Sequence, residues 1–347
     1  MKGYGHLTLA LSTMALPSFA QKINERMIFT FEPCNVSNCQ FINLKNDGIS
    51  GGAILCFASI RINNCKFYGC IAKNGGAIAV HNKFFGNCIT FKSCESSNNA
   101  GSIYHLNKYT NEHNLNATDI INSKSPFFGS IVKRSFGSTT INCVNISNSQ
   151  ATECVGSFEF ENGCTTISYL NIDKSKAKAH NGAGCIRYAS SLDIKYSIFK
   201  NCEHKSYIDN VATAILIYAC PVQAKITNTY FIFCQNQDSK TIAVADGNKI
   251  KIQTCYFTGT KEEELGSHYL IDVSDSIFEG TFQIPHFSYG EIGFQNVHQD
   301  DNIIYNSDRI FNSATISLLI GLTFAVSFTF IHMKFNTIFK KFNKEFI

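Results

Sequence analysis

Acidic side chains are the first candidates for chemistry, because enzymes that cleave polysaccharides place carboxylates in close pairs or around a metal. Asp272 and Asp275 flank a predicted strand, and Asp300 and Asp301 follow the last clear repeat. A further acidic run, interpreted as a solvated loop between strands, consists of Glu262, Glu263 and Glu264. None of these acids recurs at corresponding positions of neighbouring repeats. The sequence therefore assigns no catalytic residue and no cofactor.

The 15 cysteines all fall between Cys34 and Cys255, and the odd number leaves at least one unpaired. They lack the close knuckle spacing of zinc sites, and the ten histidines are scattered singly, so no metal site is predicted. Two pairs occupy corresponding positions of neighbouring repeats, Cys70 with Cys94 and Cys202 with Cys234. At about 4.8 Å between stacked strands, disulfides and stacked buried thiols are both open interpretations.

A box of small residues repeats along the chain. The box that starts at Gly51 as Gly-Gly-Ala-Ile recurs 24 residues later at Gly75, and degenerate copies continue at slightly longer steps. Two further turns are predicted at Thr241 and at His268. We expect the box glycines at corners where φ is positive or two backbones approach closely. They are Gly51, Gly52, Gly75, Gly76, Gly101, Gly129, Gly156 and Gly184.

A second landmark, Phe-x-x-Cys, stands ahead of most boxes. Its copies begin at Phe67, Phe91, Phe199 and Phe231. Around them, apolar and polar residues alternate as in strands, for example over residues 192–199. Such a unit cannot bury its own apolar face and must stack on its neighbours. The sequence thus predicts an all-β, right-handed parallel β-helix of nine to ten coils with three short strands each; the leucine-rich-repeat frame is missing.

These boxes and Phe-x-x-Cys elements resemble those of the polymorphic membrane proteins of intracellular bacteria and of similar surface proteins of some protists. The resemblance covers roughly residues 39–260. It implies a pectin lyase-like right-handed β-helix, displayed on a cell surface and associated with adhesion. The bacterial members end in a β-barrel translocator, whereas this chain ends in one apolar segment, which favours the protist-type relatives.

Both ends of the chain carry membrane signals. Residues 1–20 combine Lys2, an apolar run and a small-residue cleavage site, and predict a signal peptide. Residues 310–332 form a nearly uncharged stretch long enough to span a bilayer, followed by a basic tail at residues 333–347. We therefore expect residues 21–309 to be an extracellular domain held at the plasma membrane by a single type I span.

The net charge and the glycosylation sequons limit the partners that we expect. The formal net charge of +4 resides in the two terminal segments, so the predicted ectodomain is neutral and nucleic acid is not an expected partner. Three glycosylation sequons begin at Asn35, Asn116 and Asn145. The leading hypothesis is a non-enzymatic glycoprotein for adhesion or surface display, whose partners are host or neighbouring cells or extracellular glycans. A membrane-anchored polysaccharide lyase or hydrolase and a structural coat component are the alternatives.

Overall fold

Stretches of alternating apolar and polar residues form short strands along the chain. The computed structural model describes residues 21–205, 211–219, 221, 223–234, 239–266 and 268–280. Nearly every regular element in these residues is a β-strand, and each strand pairs in parallel with the strand one coil away. The result is a β-solenoid of the right-handed type with about nine turns, which confirms the predicted parallel β-helix.

Each coil contributes to four rows of strands. Row A contains β2 (Met27–Phe29), β6 (Ile54–Cys56), β9 (Ile78–Val80), β12 (Ile103–Thr110), β15 (Ile131–Phe136), β18 (Phe158–Asp173), β20 (Gly184–Lys195), β23 (Ala212–Tyr218), β26 (Lys240–Val244) and β29 (Leu265–Gly266). Row B contains β3 (Cys34–Ser37), β7 (Ile60–Tyr68), β10 (Phe84–Lys92), β13 (His113–Ile121), β16 (Ser138–Ser147), the later parts of β18 and β20, β24 (Ala224–Thr227), β27 (Ile250–Gln253) and β30 (Ile271–Ser274).

Row C continues from row B around a corner. It contains β1 (Gln21–Ile23), β4 (Cys39–Ile42), the ends of β7, β10, β13, β16 and β18, and then β21 (Ile198–Lys200), β25 (Tyr230–Ile232) and β28 (Tyr256–Phe257). Row D, a separate sheet of seven very short strands, contains β5 (Lys45–Asn46), β8 (Ile71–Asn74), β11 (Glu95–Asn99), β14 (Lys124–Ser125), β17 (Gln150–Ala151), β19 (Lys176–Ala177) and β22 (Glu203–His204). The expected three strands per coil are thus rows A to C, and row D is an addition.

The corner between rows B and C is made by one residue per coil in the left-handed region. Its φ lies near +50° in every coil, and asparagine, which tolerates this region better than most residues, fills three of the ten places. The members of this column are Asn38, Asn64, Cys88, Ala117, Cys143, Tyr169, Tyr196, Asn228, Thr254 and Asp275. A single such residue turns the strand without a loop, which is why rows B and C run on as long strands.

The box glycines lie at the corner before row A. Gly51 and Gly75 have φ of +71° and +58°. A Cβ on Gly52 would lie 2.2 Å from the carbonyl oxygen of Gly76 in the next coil, so only glycine fits there. Comparable close approaches to the next coil occur at Gly76, Gly101, Gly129 and Gly156. Both predicted reasons for glycine therefore apply.

Gly184 corrects the predicted alignment of one box. It lies inside β20, directly opposite Phe158, and a Cβ on it would be 2.2 Å from that phenyl ring. Gly182 takes the corner position instead, because its carbonyl approaches Gly156 as the other box glycines approach theirs. The box thus starts two residues earlier than predicted.

The C-terminal turns differ from the predicted ones. Row A resumes at Leu265, opposite Ile242, rather than in a box starting at His268, and Ile271 belongs to row B. The acidic run expected to be a loop forms α1 (Lys261–Glu264), capped by Thr260, and Glu264 is buried. A 3₁₀ turn, His268–Leu270, follows.

The core is built from columns of like side chains. Phe41, Phe67 and Phe91 stack in neighbouring coils with ring centroids 4.8 and 5.0 Å apart. Another phenylalanine stack lies in the C-terminal coils and contains Phe199, Phe231, Phe257 and Phe278.

The predicted signal peptide (1–20), membrane span (310–332) and tail (333–347) lie outside the described residues. Within the described part of the chain, no helix has the length and apolarity needed to cross a membrane.

Candidate ligand-binding face

The outward side chains at the end of row A form a continuous strip along the solenoid. Register places one residue from each of seven neighbouring coils in this column, so the strip extends over about 29 Å at ~4.8 Å per coil. We call it the row-A strip. Its members are Phe57, His81, Leu106, Arg134, Glu161, Arg187 and Tyr218.

Charged residues occupy the centre of the row-A strip. Arg134 contacts two acids: its guanidinium nitrogens lie 2.7 Å from Glu159 Oε1 and 3.5 Å from Glu161 Oε2. Arg187, one coil beyond Glu161, approaches Glu159 Oε2 at 3.8 Å. The four residues therefore form a balanced network of two arginines and two glutamates across three coils.

Glu159 is the buried member of this network. Its side chain is 0% exposed, whereas the side chains of Arg134 and Arg187 keep a third or more of their surface exposed. Burial raises the pKa of Glu159, and the nearby arginine charges oppose that rise. Glu159 Oε2 has no hydrogen-bond partner among the described residues. The centre of the strip thus combines a shielded acid with two accessible cations.

A wall of apolar residues stands beside the strip. Phe128 and Val155, from the segments that precede row A, pack with Tyr104, Val132 and Cys185 on the outer face of the sheet. The Arg134 guanidinium lies 4.8 Å from the centre of the Phe128 ring. This second apolar cluster is separate from the solenoid interior and borders the strip on one side.

Aromatic rings flank the charged centre. Toward the N-terminus, Phe57 stacks on His81 with centroids 4.8 Å apart. Toward the C-terminus, Tyr218 meets Tyr188 edge to face at 5.5 Å. Phe57 and Tyr218 are 46% and 39% exposed, so both offer ring surface to a ligand. Rings of this kind present flat apolar faces next to hydrogen-bonding groups.

Polar groups also line the solenoid interior beneath the centre of the strip. His105 Nδ1 and His113 Nδ1 are 3.0 Å apart, and both residues are fully buried. Lys133, also fully buried, donates to the carbonyl oxygens of Ser135 and Asn162 at 2.5 and 2.9 Å. Burial lowers the pKa of His105 to about 3 and that of Lys133 to about 8. The histidines therefore remain neutral at pH 7.

The acids considered from the sequence each have their own surroundings where the structure describes them. Asp272 lies 3.4 Å from Lys249 on the exposed face of row B. Asp275 is a corner residue with φ of +51° that accepts a hydrogen bond from Gln253. Glu264 Oε1 accepts from the Gly259 amide at 2.6 Å, and Asp300 and Asp301 lie outside the described residues. In the described part of the chain, no three potential metal ligands come together.

The predicted cysteine pairs are adjacent. Cys70 with Cys94, and Cys202 with Cys234, lie buried in neighbouring coils, each pair three residues after a register pair of phenylalanines. The described cysteines are free thiols. Stacked thiols and a disulfide share this placement, so the choice between them stays a prediction.

The three sequon asparagines lie on outward faces of row B and row C strands. Asn35 is exposed on β3. The side-chain amide of Asn116 donates to Asn87 at 2.7 Å and accepts from Asn142 at 2.7 Å. Asn145 donates to Asp119 at 2.8 Å. A glycan on Asn116 or Asn145 would replace a hydrogen atom of an amide already engaged, whereas Asn35 is the accessible acceptor.

Sequence reasoning missed the centre of the strip. Glu159 and Glu161 come directly after the Val-Gly-Ser-Phe box, and Arg134 and Arg187 follow the neighbouring boxes. Comparing the residues that follow each box, rather than searching for acids that recur, would have placed Arg134 and Glu161 side by side, whereas the misaligned box at Ala183 would have put Arg187 opposite Glu159. The sequence signal for the centre of the strip is that residues of opposite charge occupy corresponding positions of neighbouring coils.

Comparisons with known proteins do not assign a family: no protein-family model, curated protein or solved structure matches the chain. The fold defines the class as a parallel β-solenoid. Within that class, the particular protein is characterised by its row-A strip, and the resemblance to polymorphic membrane proteins stays an expectation.

Proposed function

We propose that the chain is a non-enzymatic cell-surface protein, anchored at the plasma membrane, whose β-solenoid binds an extended extracellular glycan along the row-A strip. The single observation that carries this proposal is the in-register column of aromatic and charged side chains that spans seven coils. A polysaccharide segment is long and amphipathic, and so matches a strip that continues over seven coils and offers aromatic and charged side chains along its length.

The chemistry of the strip suits sugars. Phe57, His81 and Tyr218 offer ring faces on which the apolar C–H faces of a sugar stack. Arg134 and Arg187 offer several N–H donors to hydroxyl or carboxylate oxygens. Since the two arginines are already balanced by Glu159 and Glu161, the proposal does not require a strongly acidic ligand.

One observation favours a second candidate function. Glu159 is a shielded carboxylic acid with a raised pKa beside a second carboxylate, Glu161, and this combination suits a general acid. A polysaccharide hydrolase or lyase is therefore the alternative, and Glu159→Gln would abolish its turnover. A structural coat component, the third candidate, would bind no glycan.

The experiment uses the full-length chain in detergent, immobilised and incubated with a panel of glycans and extracellular-matrix components. Retention and the chain length of each glycan are both measured. We expect retention without shortening, and Tyr218→Ala should weaken it about three- to tenfold through loss of one stacking contact. Tyr196→Ala is the matched control, because Tyr196 is equally exposed but lies at the corner between rows B and C.

Each alternative outcome contradicts the proposal in a different way. Shortening of a polysaccharide that Glu159→Gln stops would establish the enzyme. Absence of retention on the whole panel would leave a structural role. Equal loss of binding in Tyr218→Ala and Tyr196→Ala would move the ligand site away from the row-A strip.

A further inference from the structure

Two thiol pairs connect the first complete coil to the second. Cys34 Sγ and Cys56 Sγ lie 3.9 Å apart, with Cys34 in β3 and Cys56 in β6. Cys39 and Cys65 are opposite each other in neighbouring strands, since the residues that follow them, Gln40 and Lys66, are paired. The spacing of about 4.8 Å between stacked parallel strands puts Cys39 and Cys65 inside the Cα separation that a disulfide tolerates. Cys34 and Cys56 are not register partners, and their pairing is argued from the Sγ distance.

The position of these pairs gives them a mechanical role. The first coil stacks on a complete coil on one side only; beyond it, the described residues add just β1, paired with β4. A terminal repeat of a solenoid has fewer neighbours to stabilise it and opens more readily than an internal repeat. Opening of this coil also exposes Cys56 and Cys65, which are otherwise buried, to an oxidant.

We propose that Cys34–Cys56 and Cys39–Cys65 are disulfides that clamp the first coil onto the second. In each case, thiol–disulfide exchange with a small-molecule disulfide removes two electrons and two protons from the pair. One S–S bond forms between the coils, and the bond of the small disulfide breaks to give two small thiols. The first bond would lie at the corner between rows A and B and the second at the corner between rows B and C, so the first coil would be held to the second at two separate points.

Other uses of the four cysteines fit less well. A metal would need its ligands converged on one point, and no such group exists in the described residues. Cys39 Sγ and Cys65 Sγ also contact the carbonyl oxygens of Ser37 and Asn63 at 3.2 Å, as strand-corner thiols do elsewhere in the solenoid. Among the cysteines that the structure describes, the first coil is distinguished by two thiol pairs that join the same two coils.

The test is independent of glycan binding. The full-length chain in detergent is equilibrated in a buffer of oxidised and reduced glutathione, alkylated with N-ethylmaleimide under denaturing conditions and digested without reductant. We expect cross-linked peptides that join Cys34 to Cys56 and Cys39 to Cys65. Oxidation should also slow amide hydrogen exchange in residues 21–50 by more than about tenfold.

Variants make the assignment specific. Cys34→Ser should leave Cys56 alkylated and Cys39–Cys65 intact, whereas Cys88→Ser, at the outer corner of the third coil, should change neither pair. Complete alkylation of the four cysteines after equilibration, or cross-links to other cysteines, would overturn the proposal. Unchanged exchange in residues 21–50 despite cross-linking would contradict the clamping role.

Discussion

The three central coils and the coils on either side of them follow the same backbone path but differ in the side chains of the box and of the second landmark. We call each combination of box and landmark residues a closure. In the flanking coils, the third residue of the box is alanine and the later landmark is Phe-x-x-Cys, as in Ala77 with Phe91 and Cys94. In the central coils the third residue of the box is serine and the landmark becomes Ile-x-x-Ser. The central sets are Ser102 with Ile120 and Ser123, Ser130 with Ile146 and Ser149, and Ser157 with Ile172 and Ser175.

Hydrogen bonds explain why these positions change together. Each central pair of serines forms a buried hydroxyl–hydroxyl contact, at 2.9 Å for Ser102 and Ser123 and 2.6 Å in the other two coils. The later serine also donates to a box carbonyl, as Ser149 does to Gly156 at 2.6 Å. A buried hydroxyl needs such partners, and alanine opposite it would remove one. One closure can therefore replace the other only if the box residue and the landmark residues change together.

The polar closure coincides with other polar features. His105, His113 and Lys133 lie inside the central coils, and the charged network of Arg134, Glu159 and Glu161 lies outside them. The phenylalanine stacks lie in the flanking coils. The solenoid thus has apolar ends that stabilise the stack and a polar centre that faces the proposed ligand. The comparison can be tested by changing one region toward the other.

Phe67→Ala should have the largest effect, because Phe67 is fully buried between Phe41 and Phe91. The free energy of unfolding should fall by about 3–5 kcal/mol, as for other large-to-small core changes. Urea unfolding measures the loss. In the central coils, Ile146→Val should cost only about 0.5–1.5 kcal/mol. A loss below about 1 kcal/mol in Phe67→Ala would show that the stack contributes little.

Acid should act on the central coils more than on the flanking ones. Buried His105 and His113 have pKa values below the ordinary value of 6.5, and the positive charge of Lys133 adds to the effect of burial. Below pH 6.5 the unfolded chain binds protons that these folded histidines do not, so stability falls as the pH decreases toward about 3 for His105. Between pH 7 and pH 5 the free energy of unfolding should fall by about 2 kcal/mol for each histidine, and so by about 4 kcal/mol for the pair.

The matched variant is His105→Val with His113→Phe, which copies the opposing residues Val80 and Phe84 of the preceding coil. It should lose this part of the pH dependence, and the measurement is urea unfolding at a series of pH values. Equal pH dependence in the variant and the unmodified chain would assign the effect to carboxylates instead.

Much of the fold could be predicted from the sequence, because the corner glycines and the stacked phenylalanines recur at similar steps along the chain. The error at Gly184 has a physical cause. Strand side chains alternate with a period of two, so a two-residue shift keeps Cys185 outside and Ile186 inside, and hydrophobicity does not reveal it. The turn at α1 was missed because Thr260 and Glu263 form a capping box at the corner that glycine makes in the N-terminal and central coils.

The candidate site was less accessible to prediction. The side chains of Arg134, Glu161 and Arg187 point outward, where no packing requirement imposes a recognisable pattern. Their pairing depends on register between coils 26 or 27 residues apart, and the step between boxes varies along the chain. The Ile-x-x-Ser variant of the second landmark is visible in the sequence, and it would have distinguished the central coils from the flanking ones.

Ser149→Ala should have the smallest effect of the three and is the most specific for the comparison. It removes the donor to Gly156 and the partner of Ser130, so we expect a loss of about 1–2 kcal/mol in urea unfolding. Adding Ser130→Ala removes the orphaned hydroxyl, so the double variant should be no less stable than Ser149→Ala alone. Ser147→Ala, on the outer face of β16, should change stability by less than about 0.5 kcal/mol. Strictly additive losses in the double variant would mean that the two serines act separately and that the two closures are not sets.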